Sequence, residues 1–302
     1  MANAGMSTLN LRPPAPRDVL ELLKPITWFP PMWAFMCGCI SSGESLADRW
    51  PFVIIGILLT GPLVCGNSQA INDWFDRHVD AINQPERPIP SGRIAGQWGL
   101  WIAIGGTVLS LAVSLIAGQW VFAATCLGLA CAWAYSAPPL RLKMSGIWGP
   151  GVVGLTYEGL TWFTGAAVMA GTLPGADILI ILLLYSIGAH GIMTLNDFKA
   201  VEGDLQMGVR SLPAMLGVDR AAQIACVTMA LPQVVVVILL GQWGHQIAAL
   251  IVGVLVIAQL SLMPRLLYDP RANTPWYNAT GTTLYVFGML AAAFGLGGAV
   301  GL

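Results

Sequence analysis

Charge is scarce in this chain. Only 10% of its 302 residues are Asp, Glu, Lys or Arg, while 56% are hydrophobic. A soluble domain carries roughly 25% charged residues. Charge this sparse cannot cover a globule of this length, so most of the surface must face lipid, and an ordinary soluble fold is excluded. The formal net charge is −1, so no global basic field points to nucleic acid. The six cysteines, at positions 37, 39, 65, 126, 131 and 226, lack paired metal-ligand spacing. They read as small hydrophobes inside apolar runs. Met1 to Lys24 holds charges and prolines but no apolar core, so it does not read as a cleavable signal.

Long apolar runs are what the chain has instead. A helix needs roughly 20 apolar residues to cross the hydrocarbon of a bilayer. Nine segments meet that description, at about 27–44, 51–72, 98–117, 119–136, 147–170, 177–196, 221–240, 246–264 and 279–300. Turn chemistry such as "SGESLADRWP", "SAPPLRLKMSG" and "YDPRANTPW" separates them. The expectation is an all-α polytopic membrane protein with nine transmembrane helices: a cytoplasmic segment over 1–26, then one domain over 27–302. With the N-terminus in the cytoplasm, every Lys and Arg except Arg49 falls on the cytoplasmic side. That is the positive-inside pattern. The two longest connections, 73–97 and 197–220, share this side, so function is expected there.

Both of those connections open on Asn-Asp. The first motif is "NDWFDRHVD", with Asn72, Asp73, Asp76 and Asp80. If the preceding helix continues through it, the four lie within one wide helical face. Unpaired carboxylates so close would repel. Oxygen ligands without His or Cys favour Mg²⁺ over zinc. The second motif is "NDFKAVEGD", with Asn196, Asp197, Glu202 and Asp204; Asp197 and Asp204 share a face if the segment is helical. Acids at a membrane boundary are ordinarily just solvated. Two acidic Asn-Asp ends on one side instead suit Mg²⁺ ions bridging a diphosphate.

Cations accompany the acids. "YSAPPLRLK" supplies Tyr135, Arg141 and Lys143; Arg77 and Lys199 lie inside the motifs; Arg210 follows the second. These are candidate diphosphate-binding residues, although basic residues at a membrane edge also serve orientation alone. Two ionisable residues lie inside apolar segments, Glu158 in the fifth and His190 in the sixth. A group at such depth is a functional candidate by default.

The pattern N-x-x-x-D-x-x-x-D at Asn72, Asp76 and Asp80, with the "RPIPSG" and "YSAPPLRLK" loops, resembles the UbiA superfamily of intramembrane prenyltransferases. The likeness spans nearly the whole chain. "KPITWFPPMWAF", "NDWFDRHVDAINQPERPIPSG" and "NDFKAVEGD" are most similar to its chlorophyll and bacteriochlorophyll synthase branch. One departure from many family members is the second motif, which has Ala200 four residues before Asp204 and Val201 four after Asp197. Its ligands are therefore Asp197 with Asp204, or these with Glu202.

The resemblance implies a UbiA-type bundle in a bacterial inner or photosynthetic membrane, with its active site on the cytoplasmic face. It implies Mg²⁺ as cofactor, a geranylgeranyl or phytyl diphosphate donor and a bacteriochlorophyllide acceptor esterified on its propionate. Pigment-assembly or light-harvesting proteins are candidate partners. Asp73, Asp76, Asp80, Asp197 and Asp204 then act as metal ligands rather than as acids, because a carboxylate acceptor is already ionised near neutral pH. His190, Glu158 and His78 are candidates for acceptor binding, with a hydrogen bond across helices as the other reading of His190. A quinone or haem acceptor would keep both acidic motifs. A transporter is the reading from another class, but transporter sites lie near the midplane.

Overall fold

The computed structural model describes residues 13–298. Arg12 and the outer ends of the 1–26 segment and of the 279–300 helix lie outside them. Among the described residues the structure is helical throughout, with no named strand.

A short helix, α1 (Pro16–Leu22), leads into α2 (Phe29–Ser41), which begins on a Pro-Pro pair suited to a first helical turn. One unbroken helical stretch, α3, follows over Trp50–Asn83. It is π-helical over Leu59–Cys65, around Pro62. Next come α4 (Trp98–Ala117) and α5 (Gln119–Ser136). Residues 148–170 form α6, again with a π-helical turn, Leu155–Leu160. Helix α7 (Ala176–Asn196) carries the second motif at its end. Two short helices, α8 (Val201–Met207) and α9 (Leu212–Leu216), lie in the connection that follows. The chain ends with α10 (Val218–Gln242), α11 (Gln246–Tyr268), α12 (Pro270–Ala279) and α13 (Gly281–Gly297).

Each expected apolar segment is helical over most of its length. Among the described residues, six helical stretches are long and apolar enough to cross a membrane by length and composition. The other three segments are α2, with 13 residues, α5, and the glycine-rich α6. The second segment runs past its expected end at 72 to Asn83, so the first acidic motif is wholly helical. The second motif is not: α7 stops at Asn196, a 3₁₀ turn covers Asp197–Lys199, and α8 starts afresh.

The helices close on themselves, because α13 packs against α2. Glycine permits the closest approaches. A Cβ on Gly38 would run into the Trp162 carbonyl, and one on Gly165 into that of Phe35. The small residues of α6 therefore serve packing, as in membrane bundles generally. Trp162 is fully buried, donates from Nε1 to Ser41 Oγ at 2.9 Å and stacks on Tyr185. The cysteines are all free thiols. Inside the ring of helices lies a cavity of about 470 Å³, lined from α2, α3, α5, α6, α7 and α13.

Candidate active site

The cavity touches both acidic motifs at one end. Asn72 and Asn196 line it, with Tyr135 between them in sequence and at the same wall. The two Asn-Asp ends therefore meet at one cavity. The opposite end of the cavity is formed by Thr60, Glu158 and Thr161, in the middle of α3 and α6.

The loops that supply cations are fixed by main-chain bonds. Arg141 adopts φ 39°, unusual for a residue with a Cβ, in the tight turn after Pro139. Arg210 N donates to Met144 O at 2.9 Å, and Gly146 N donates to Arg210 O at 2.7 Å. This bridge ties the 141–146 turn to the loop after the second motif. The first motif's cationic partners and the second motif's acids are thereby held together.

Side chains of the first motif divide by face. Asp76 Oδ2 accepts from Lys143 Nζ at 2.5 Å, and Oδ1 lies 3.5 Å from Arg141 Nη2. Asp73, only 1% exposed, turns elsewhere: its Oδ1 accepts from Lys24 Nζ at 2.6 Å and Arg87 Nη1 at 3.2 Å. Its Oδ2 has no hydrogen-bond partner. Arg87 also donates to Asp80 Oδ2 at 2.7 Å. Arg77 lies over the Trp74 ring, 4.1 Å from its centroid, and bonds the Trp74 carbonyl. Asn72 Nδ2 reaches Ser136 Oγ at 3.4 Å.

In the second motif, Asp204 lies near enough to act on Asp197 and accepts from Ser211 Oγ at 2.6 Å. Glu202 leaves the group; it is exposed and pairs with Arg271 at 2.7 Å. Glu202, Lys199 and Arg271 line a second cavity of about 420 Å³, which shares Asn196 with the first. Burial holds the Lys143 ammonium below the usual lysine value, against the pull of Asp76. An approaching anion would offset the cost of that burial by favouring the charged form.

The remaining sequence candidates separate. Glu158 lines the central cavity. His190 is not among the cavity residues; its Nδ1 lies 3.4 Å from Thr194 Oγ1, one turn on along the same helix. His78 is exposed. Sequence reasoning missed Lys24, which lies 49 positions from its partner Asp73. It also missed Gln69 and Tyr157, which meet at 3.1 Å on the cavity wall. The polar "GNSQ" at the end of an apolar run was the available signal for Gln69.

Among the described residues, no three His, Cys, Asp or Glu side chains are gathered into a closed cage. The donors are nevertheless hard oxygens on two sides of one cavity mouth. Mg²⁺ characteristically takes one or two carboxylates and completes its shell with substrate phosphates and water. The residues present fit that mode of binding. Lys143→Ala is expected to raise the KM of a prenyl diphosphate donor more than that of the acceptor, in steady-state assays varying each in turn. A larger change for the acceptor would contradict the assignment.

A family model described as UbiA prenyltransferase family matches residues 28–284. The chain belongs to that family. It is 59% identical, over 96% of its length and 97% of the relative's, to the bacteriochlorophyll synthase 33 kDa chain of Cereibacter sphaeroides. It is 37% identical to the chloroplastic chlorophyll synthase of Avena sativa, over 91% of this chain and 75% of that one. Among solved structures, a UbiA homolog from Archaeoglobus fulgidus bound to GPP and Mg²⁺ superimposes with a TM-score of 0.64 at 20% identity. That match covers 92% of this chain and 98% of the other. The chain is thus a multi-pass membrane prenyltransferase by family, and among these relatives it is nearer to the bacteriochlorophyll than to the plant chlorophyll synthase.

Proposed function

We propose that this enzyme esterifies the propionate of bacteriochlorophyllide a with geranylgeranyl or phytyl diphosphate, releasing diphosphate, with Mg²⁺ as cofactor. The observation that carries the reading is the cavity itself. It joins two Asn-Asp ends, rich in oxygen ligands and cations, to the interior of the bundle. Substrates with a charged group at one end and a lipid-soluble body need that arrangement. The 59% identity to a bacteriochlorophyll synthase supports the choice of acceptor.

Asp76, Asp197 and Asp204, with the amide oxygens of Asn72 and Asn196, are the residues that would hold Mg²⁺, and Asp80, which also bonds Arg87, would join them. Bound there, Mg²⁺ would neutralise charge on the departing diphosphate. Lys143, Arg141 and Arg210 stabilise the same leaving group. The bond between the allylic C1 and the diphosphate oxygen breaks as the acceptor carboxylate oxygen bonds to C1. No proton moves, so no general base is required. Lys24 and Arg87 are occupied by Asp73 and serve position.

In this reading all nine apolar segments cross a bacterial inner or photosynthetic membrane, with the N-terminus and the site on the cytoplasmic face. The distribution of Lys and Arg supports it.

The test is ester formation by the purified protein with Mg²⁺, geranylgeranyl diphosphate and either bacteriochlorophyllide a or chlorophyllide a, followed by chromatography. The expected result is esterified bacteriochlorophyllide, lost with EDTA and restored by Mg²⁺. Turnover of chlorophyllide alone would move the enzyme to the sister branch. No ester from either pigment would return a quinone or haem acceptor to the front.

A further inference from the structure

The inner end of the cavity has a composition that a prenyl chain does not call for. Thr60, Cys65, Gln69, Thr156, Tyr157 and Glu158 all line it. An isoprenoid offers none of these groups a hydrogen bond, and polar groups held against hydrocarbon cost free energy. A tetrapyrrole macrocycle, by contrast, carries carbonyl groups on an otherwise apolar plate.

Two π-helical turns build this wall. Leu59–Cys65 and Leu155–Leu160 touch where Cys65 Sγ donates to Tyr157 Oη at 3.4 Å. A π-turn admits an extra residue and re-aims the side chains around it, and such turns are frequent at functional sites. Most polar groups here already have partners: Tyr157 takes Gln69 as well as Cys65, and Thr60 and Thr156 bond carbonyls of their own helices. Glu158 is the exception. Among the described residues, no Lys or Arg pairs with its carboxyl group, and the side-chain bond it does receive, from Thr161 Oγ1, goes to its backbone carbonyl. An isolated charge is not kept in such surroundings, whereas a neutral carboxyl group is one O–H donor.

Its depth selects the group it meets. Asn72 and Cys65 are seven residues apart on α3, or about 10 Å along a helix. Tyr157, in contact with Cys65, immediately precedes Glu158. With the propionate at the acidic end, Glu158 faces a rim substituent remote from it. Bacteriochlorophyllide a bears an acetyl group on ring A, where chlorophyllide a bears a vinyl group. Only the acetyl accepts a hydrogen bond.

We propose that Glu158, in its neutral form, donates a hydrogen bond to the ring-A acetyl carbonyl of the acceptor and is a specificity-determining residue. The inference rests on the function proposed above. A site built to hydrogen-bond one substituent discriminates strongly against an analogue that lacks it.

The experiment compares wild type, Glu158→Leu and Glu158→Gln at saturating geranylgeranyl diphosphate, varying each pigment. Glu158→Leu is expected to raise the KM for bacteriochlorophyllide a about tenfold, the worth of one lost hydrogen bond. The KM for chlorophyllide a should not rise, since Glu158→Leu removes a donor that the vinyl group leaves unpaired, and Glu158→Gln, which keeps an N–H donor, should restore most of the loss for bacteriochlorophyllide a. An equal rise for both pigments, or a shift in the donor's KM instead, overturns the inference and leaves the proposed function standing. Wild type that esterifies neither pigment overturns both. Should Glu158→Leu not fold, resonance Raman of bacteriochlorophyllide a bound to wild type decides. A downshifted acetyl stretch is expected, and the stretch of a free acetyl group refutes the assignment.

Discussion

Asp76→Ala is expected to lower kcat about a thousandfold, the loss of roughly 4 kcal/mol of transition-state stabilisation. The protein should still insert. The size of the effect follows from position. Within "NDWFDRHVD", Asp76 is the carboxylate that meets Lys143 and Arg141, on the turn pinned to the second motif. Removing it takes away a ligand where diphosphate charge develops, and it leaves Lys143 without its partner. Asp197→Ala, on the facing wall, should fall by a similar factor. Asp76→Asn keeps an oxygen but not the charge, so it should need more Mg²⁺ for half-maximal rate. Wild-type turnover in Asp76→Ala, measured over a Mg²⁺ titration, would remove the residue from the metal site.

Hydropathy was enough to locate the helices, because each apolar run had to be satisfied by intra-segment hydrogen bonds in lipid. It was not enough to end them. Helix α3 runs eleven residues beyond its last expected apolar position, since Asp73 and Asp80 find cations that make a charged helical end tolerable. The second motif behaves otherwise: Lys199 and Ala200 lie in a break between helices, so the seven-residue spacing of Asp197 and Asp204 is not a helical face. Their proximity comes from the loop, with Ser211 holding Asp204. The division of the first motif was partly legible. At about 100° per residue, Asp73 and Asp80 coincide within some 20°, while Asp76 lies about 40° from both Asn72 and Asp80. Periodicity gives that grouping but not which group faces the cavity. The missing information was Lys24, whose pairing with Asp73 spans 49 positions and leaves no local pattern. Glu202 was drawn away for the same kind of reason, by Arg271 from a distant helix.

Asp73→Ala is expected to act on stability first, by about 3 kcal/mol, the lower range for breaking a buried ion pair. Asp73 is 1% exposed, while the Lys24 and Arg87 side chains each retain 23%, so water reaches the cations left behind and moderates the cost. The N-terminal strap would loosen with it. Lys24 holds a left-handed backbone at φ 47° between α1 and α2, a conformation costly enough to need an anchor. A second set of bonds, Arg93 with Asp18 and Glu21, fastens the same strap to the 84–97 loop and should keep it from leaving altogether. Thermal unfolding in detergent should therefore show a lower Tm for Asp73→Ala. Activity per folded molecule should keep its wild-type Mg²⁺ dependence, the reverse of the Asp76 pattern. Unchanged Tm with a weakened response to Mg²⁺ would instead make Asp73 a metal ligand, and Lys24 and Arg87 its placeholders until substrate arrives.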